Sequence, residues 1–205
     1  MSVVGLDLAG VETRPTGFCL LKGNKAKTCL LYSDEEIIKQ TISSKPRVIA
    51  IDAPLSLPPG RKSIDERTSN HLRDSDRALL KMGIKLFPIT LGPMRKLTVR
   101  GIKLKEILES INLNNQKTLC RQTFSVIEAY PGGAQDVLGI PRKQQGIEKL
   151  RQGLEKLGLS GLRGSKSDHE LDAATCAYVA LLFLEGKAIV YGDPKTGIAM
   201  PKGRE

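Results

Sequence analysis

The stretch VVGLDLAG at residues 3–10 sets an acidic residue, Asp7, inside an apolar run that is typical of a buried strand. The stretch VIAIDAPL at residues 48–55 repeats this pattern with Asp52. A carboxylate among Val, Ile and Leu is costly to bury unless it is paired with a cation or binds a metal ion. The two acids therefore indicate a functional site and not packing.

Two further segments carry acids in apolar surroundings. Glu128 lies in FSVIEAYPGG at residues 124–133, and Asp168 and Asp172 lie in SDHELDAATCA at residues 167–177. The spacing of four residues predicts a helix that presents both aspartates on one face. Carboxylate oxygens are the ligands that hard divalent cations such as Mg²⁺ prefer. Together the acids of the four segments predict one shared metal site.

Three of these acids also have structural explanations that the residues leave open. Asp52 could cap a turn at the end of its strand. Glu128 could pair with a buried arginine such as Arg121 or Arg77. Asp168 could be an ordinary N-cap of its helix, since Ser and Asp favour that position.

Periodicity and turn residues predict the order of elements: strands at 3–9, 16–22, 25–32, 47–52, 124–129 and 188–191, and helices from 33, at 76–82, at 96–111, at 147–157 and at 168–186. Gly23-Asn24 predicts a two-residue hairpin turn, whereas Pro131-Gly132-Gly133 is expected to break the chain. This order is that of an α/β, ribonuclease H-like fold, with a mixed five-stranded central sheet and helices on both faces. We predict a single domain of residues 1–205 with a helical and loop insertion at about 53–120.

Such a fold would bring the acids together. Its first and fourth strands are parallel neighbours, so Asp7 and Asp52 would lie side by side at one edge of the sheet, with the last helix packed against them. His169 titrates near neutral pH and could shuttle protons. One residue after Asp168, however, it is expected to point about 100° away from the acidic face.

The chain is strongly basic. Lys and Arg outnumber Asp and Glu by 32 to 22, which gives a formal charge of +10 and a pI near 9.5. This charge favours phosphate-rich partners, and DNA or RNA is the predicted partner. A basic, lysine-rich cytosol or thermal adaptation is the alternative explanation of the charge. The sequence predicts no signal peptide, no membrane-spanning run and no disulfide framework. We therefore expect a cytoplasmic protein without membrane association.

The stretch from 61 to 77 is the predicted phosphate-binding rim. It follows the strand that ends at Asp52, and its cations are Arg61, Lys62, Arg67, Arg73 and Arg77. A solvated polar loop is the alternative. Aromatic residues make up only 4% of the chain and Trp is absent, so recognition of backbone or shape is predicted instead of base stacking on an open aromatic platform.

Six segments spread over nearly the full length resemble a known family. They are GLDLAG, AIDAPLSLP, RDSDRALLKMGIKLFP, VIEAYPGG, DHELDAATCAYVALLFLEGKA and GDPKTG. Together they resemble the domain of unknown function 429 family, and the resemblance implies a predicted nuclease of ribonuclease H-like fold. The acidic positions of Holliday-junction resolvases and ribonuclease H enzymes are similar to Asp7 and to the helix of Asp168 and Asp172.

The predicted function is hydrolysis of nucleic-acid phosphodiester bonds with Mg²⁺ or Mn²⁺. Two ions about 3.5–4 Å apart could hold the scissile phosphate. Asp7 would bridge both ions. Asp52, Glu128 and Asp172 are the other predicted catalytic residues. Asp172 and Asp168 would complete the shell of one ion, and Asp52 or Glu128 would serve the other.

Two other functions stay open. One is a catalytically inactive nucleic-acid-binding or protein adaptor on the same fold. The other is a nucleotide- or sugar-phosphate-handling enzyme related to the actin-like ATPase fold, which would need a glycine-rich phosphate loop and usually a duplicated domain.

Overall fold

The computed structural model describes residues 1–117, 123–165 and 167–203. Its helices and strands are, in chain order, β1 (Ser2–Asp7), β2 (Thr16–Lys22), β3 (Lys25–Leu31), α1 (Asp34–Ser43), β4 (Val48–Asp52), α2 (Asp74–Lys81), α3 (Met94–Lys117), β5 (Ser125–Ala129), α4 (Pro131–Leu138), α5 (Ile147–Lys156), α6 (Asp168–Leu184), β6 (Ala188–Tyr191) and β7 (Ile198–Pro201). Short 3₁₀ turns at Lys143–Gln145 and Leu162–Gly164 flank α5.

The strands form one mixed sheet in the order β3-β2-β1-β4-β5-β7-β6. β1 runs antiparallel to β2 and parallel to β4, and β4 and β5 are also parallel. The prediction of five strands is wrong, because the described residues give seven. The hairpin of β6 and β7 extends the sheet beyond β5. β7 has only four residues and ends in Pro201, so its sequence carries little strand signal.

A second difference concerns Pro131-Gly132-Gly133, which begins a helix and does not break the chain. Pro131 is the first residue of α4, directly after the N-cap Tyr130. Proline is favoured there because the first N–H groups of a helix have no partner within the helix. α4 therefore follows β5 without a loop.

Helices cover both faces of the sheet, and the alternation of side chains along β1 and β4 divides the core in two. Val3 of β1 and Ala50 of β4 pack on the face that α6 covers. Leu6 and Ile51 pack on the opposite face with residues of α1 and α3. Asp7 and Asp52 continue the row of Val3 and Ala50, so both carboxylates belong to the α6 face.

α6 lies unusually close to β1 and β2. A Cβ on Gly5 would lie 2.1 Å from the carbonyl oxygen of Ala173, and one on Gly17 would lie 2.0 Å from that of His169. Only glycine permits this approach. The first turns of α6 are thereby held against the carboxyl end of β1. None of the helices in the described parts of the chain is long and apolar enough to cross a membrane.

Candidate active site

The first two acids meet as the sequence predicts. Asp7 and Asp52 are Cα partners in the parallel pairing of β1 with β4, where both strands end. Asp7 is 9% exposed, and Asp52 is partly buried. Two carboxylates side by side at low exposure repel one another, so this arrangement needs a cation or protons nearby.

Asp172 of α6 joins this pair. Its side chain is buried, and one oxygen, Oδ1, accepts a 2.8 Å hydrogen bond from Nε2 of Gln135 in α4. The pKa of Asp52 is raised well above its usual range, first by burial and then by the charges of Asp7 and Asp172. The pKa of Asp172 is raised by burial and by Asp7, against the effect of Lys143. The three aspartates therefore share one electrostatic environment.

Lys143 supplies the cation, and sequence reasoning missed it. Its Nζ lies 2.9 Å from Oδ2 of Asp172 and 3.1 Å from Oδ2 of Asp168. Partial burial would lower the pKa of Lys143, but the two aspartates raise it above its ordinary value. Lys143 lies in a 3₁₀ turn, and nothing in its local sequence distinguishes it from the other lysines of this basic chain.

Asp168 lies at the rim of the cluster. It is not the N-cap of α6, since Ser167 accepts the capping hydrogen bond from the backbone N–H of Glu170. Partial burial opposes ionisation of Asp168, but the hydrogen bond and charge of Lys143 lower its pKa, with a smaller contribution from His169. The explanation of Asp168 as a helix cap is therefore wrong.

His169 faces the site and not away from it. Its Nδ1 lies 2.6 Å from Oδ2 of Asp7. The prediction failed because it considered only α6: Asp168 and Asp172 turn toward Lys143, while Asp7 approaches the adjacent helix face from the sheet. The hydrogen bond to Asp7 raises the pKa of His169, and partial burial opposes this shift.

Glu128 comes from the other face of the sheet, although its charge contributes to the raised pKa of Asp52. Its register partner is Ile51, which packs on the α3 face, so the Glu128 side chain starts from the face opposite Asp7 and Asp52. Both carboxylate oxygens accept 2.6 Å hydrogen bonds from Arg73, and Oε2 also accepts one of 2.8 Å from the backbone N–H of Leu55. Burial raises the pKa of Glu128, although Arg73 and Leu55 oppose it.

A buried arginine does pair with Glu128, but it is Arg73 and not Arg77. Arg77 instead bonds to Asp74 and Asn70 at the surface. Arg121, the other partner considered, lies outside the described residues.

The predicted phosphate-binding cations differ in their exposure to solvent and in whether other groups already bind them. Arg73 is 4% exposed and is shared by Glu128 and Asp76. Arg61 folds into its own loop, where it donates to the carbonyl oxygens of residues 64, 68 and 70. Lys62 and Arg67 are exposed. Of the predicted rim, Lys62 and Arg67 are therefore the cations that face solvent without a side-chain partner among the described residues.

A second surface with exposed cations was not predicted, and it also carries the acids Glu12, Asp34 and Asp65. An open groove of about 560 Å³ runs along the first half of α3. Gly10, which follows Asp7 by three residues, lines one side of it. Lys96 and Lys103 line it, are exposed, and form no ion pair with any described residue. Arg100 donates a 2.8 Å hydrogen bond to Asp34 and one of 2.7 Å to the carbonyl oxygen of Ala9, two residues beyond β1.

The donor set of the cluster suits a hard divalent cation. Asp7, Asp52 and Asp172 offer oxygen ligands, and their mutual repulsion is what a dication would relieve. As they stand, no three such side chains among the described residues are grouped closely enough to hold an ion. Two of the carboxylates are held by other side chains: Lys143 binds Asp172, and His169 binds Asp7.

Residues 5–196 match the family model described as "Protein of unknown function (DUF429)". No curated protein matches the chain. The match leaves out the first three residues of β1 and all of β7, and it includes every residue of the acidic cluster.

Proposed function

The chain belongs to the DUF429 family, whose function is unknown, and we propose that it is a metal-dependent nuclease of ribonuclease H-like fold. The observation that carries the proposal is the convergence of Asp7, Asp52 and Asp172, from three distant segments, in one electrostatic environment. The topology supports the fold assignment, because an antiparallel β1–β3 meander leads into the parallel strands β4 and β5, and the long helix α6 packs on β1.

Asp7, Asp52 and Asp172 are the residues that would hold Mg²⁺ or Mn²⁺. Asp168 would add a ligand at the rim once Lys143 withdraws from it. Such an ion supplies Lewis-acid activation of water and neutralises charge on the scissile phosphate. Glu128 is left out of this set, because Arg73 and Leu55 already occupy both of its oxygens.

The chain's own residues contribute proton transfer and orientation. With Nδ1 of His169 held by Asp7, Nε2 is the ring nitrogen that can exchange a proton with a substrate oxygen. Gln135 fixes the orientation of Asp172, since its amide bonds both to that carboxylate and to the hydroxyl of Thr175. Lys143, when released by the acids, carries a charge that suits a phosphate oxygen.

Nucleic acid is the substrate class that the charge distribution favours. The chain has a net charge of +10. Exposed cations lie on both the 61–77 loop and the α3 groove: Lys62, Arg67, Lys96 and Lys103. Lysine and arginine side chains of this kind bind the phosphate backbone, and such binding depends little on the base sequence.

Cleavage of labelled single-stranded, duplex and branched DNA and RNA, with Mg²⁺ or Mn²⁺, tests the proposal. We expect metal-dependent cleavage by the native protein and a loss of at least about 10²-fold in Asp7→Asn, the scale of removing one preorganised group from a site. Asp74→Asn is the matched control, because Asp74 is an exposed aspartate that pairs with Arg77 at the surface.

Three results would contradict the proposed site or the proposed activity. Undiminished cleavage by Asp7→Asn would remove Asp7 from the mechanism. Binding without metal-dependent turnover would favour the inactive adaptor. Release of phosphate from nucleoside triphosphates without cleavage of oligonucleotides would favour an enzyme of the actin-like type.

A further inference from the structure

A narrow cleft of about 180 Å³ opens beside Asp52, beyond the carboxyl ends of β4 and β5. We call it the Asp52 cleft. Its apolar walls include Leu86, Phe87, Ile89, Met94, Leu97 and Tyr130. Crevices beyond the carboxyl ends of parallel strands are the usual ligand sites of open α/β sheets. The volume is below the ~300 Å³ of a typical small-molecule pocket, so it suits a single planar ring system and not a whole nucleotide.

The rim of the Asp52 cleft carries an aromatic ring that folding does not explain. Phe87 lies between α2 and α3 and is 79% exposed. Tyr130 forms part of the wall, with its hydroxyl donating to the carbonyl oxygen of Lys85 at 3.0 Å and the Arg142 guanidinium 6.0 Å from its ring centroid. Single exposed apolar residues are ordinary on protein surfaces, but Phe87 lines an apolar cleft, so its ring extends the surface on which a ligand would pack.

The N–H groups of Arg73 at the base of the cleft are already hydrogen-bonded. The guanidinium of Arg73 is engaged by Glu128 and Asp76, and the oxygens of both acids are engaged in return. A ligand would therefore gain few hydrogen bonds at its edges. Its binding must come from apolar contact and ring stacking.

We infer that the Asp52 cleft binds one base of a nucleic-acid strand, stacked on Phe87, while the phosphate beside that base lies at the carboxylate cluster. The inference rests on the proposed function in that the substrate is nucleic acid. Stacking without hydrogen bonds to base edges implies weak base preference, since every base offers a π face. The low aromatic content predicted recognition of backbone or shape instead of base stacking. A base site at Phe87 revises that prediction, because a single exposed ring is enough to stack one base.

Fluorescence anisotropy with two probes tests the base site. One probe is a thymidine oligonucleotide of about ten nucleotides, within the usual range for one binding domain; the other has the same sugar-phosphate backbone without bases. Both are titrated in EDTA and again with Mg²⁺. The variants are Phe87→Leu, Phe87→Trp and the control Tyr32→Leu, which removes an exposed ring just after β3.

Phe87→Leu should bind the thymidine probe about tenfold more weakly than the native protein, the scale of one base–aromatic stack. It should bind the base-free probe like the native protein. Phe87→Trp keeps a ring and should restore the difference between the probes, and Tyr32→Leu should change neither affinity.

Equal affinity of the native protein and Phe87→Leu for the thymidine probe would overturn the inference. A protein partner would then be the remaining explanation of the exposed ring. Equal weakening for both probes would also overturn it, since Phe87 would then act on the backbone. If neither probe binds, nucleic acid is not the ligand and the proposed function fails as well. A base-dependent loss in Phe87→Leu without any metal-dependent cleavage would refute the nuclease and support the base site.

Discussion

Replacing Arg73 with methionine should destabilise the fold far more than replacing Arg77, although both belong to the stretch predicted to bind phosphate. Arg73 is 4% exposed and forms two 2.6 Å hydrogen bonds with Glu128 and one of 2.8 Å with Asp76. The substitution keeps most of the side-chain volume but leaves two buried carboxylates without their cation. Arg77 bonds to Asp74 at the surface, with 47% and 74% of the two side chains exposed.

The magnitudes follow from burial. Removing one partner of a buried ion pair costs about 3–5 kcal/mol. At ~2–4 °C per kcal/mol for a domain of this size, the midpoint of thermal unfolding should fall by about 6–20 °C. An exposed pair contributes only ~0–1 kcal/mol, so Arg77→Met should lower the midpoint by a few degrees at most.

Urea unfolding at neutral pH measures the two free energies, and thermal melting gives the midpoints. Adding Glu128→Gln to Arg73→Met should recover part of the loss, because one stranded carboxylate becomes neutral. A loss for Arg73→Met no greater than that for Arg77→Met, together with weaker oligonucleotide binding, would refute the reasoning. Arg73 would then contact phosphate as the sequence predicts.

Three further changes test the surroundings of the aspartates. Lys143→Met removes the ammonium that competes with a divalent cation, so the affinity for Mn²⁺ in calorimetry should rise about tenfold. Gly5→Ala sets a Cβ 2.1 Å from the carbonyl oxygen of Ala173, and urea unfolding should show a loss of about 1–3 kcal/mol. Asp7 raises the pKa of His169, so the hydrogen bond between them stabilises the fold fully below pH ~6.5. The native protein should therefore be more stable than His169→Gln at low pH, and this difference should fade as the pH rises through the raised pKa. Urea unfolding at a series of pH values measures it.

Each change has a control or a contrary outcome. Lys149→Met removes an exposed lysine of α5 and should leave Mn²⁺ binding unchanged; a weaker affinity in Lys143→Met would mean that Lys143 assists the metal. Gly164→Ala adds a Cβ with no neighbour within 4 Å and should cost little. A stability difference for His169→Gln that stays constant with pH would show that the contact does not depend on the charge of His169.

The parts of the fold that follow from local sequence were predictable. The Gly23-Asn24 turn fixes the hairpin, and Lys22 pairs with Lys25 as that turn requires. The pairing of β1 with β4 followed from two apolar runs that end in aspartate. β7 was missed because four residues ending in Pro201 form a strand only through their pairing with β5 and β6.

The site was predictable only where an acid interrupts an apolar run. Asp7, Asp52 and Asp172 give that signal, because an unpaired carboxylate is costly inside a strand or helix. Glu128 gives the same signal, but its face of the sheet depends on the register between β4 and β5. Lys143 gives none, because it reaches the acids from a turn near α5 whose position depends on tertiary packing.

Isothermal titration with Mn²⁺ tests the central claim most directly. Native protein should bind Mn²⁺, and Asp7→Asn, Asp52→Asn and Asp172→Asn should each weaken that same binding by at least about tenfold, while Asp74→Asn matches the native protein. Mn²⁺ should raise the midpoint of thermal unfolding of the native protein and of Asp74→Asn, but not of the three cluster variants. No binding by the native protein, or binding that survives in Asp172→Asn, would contradict a shared site.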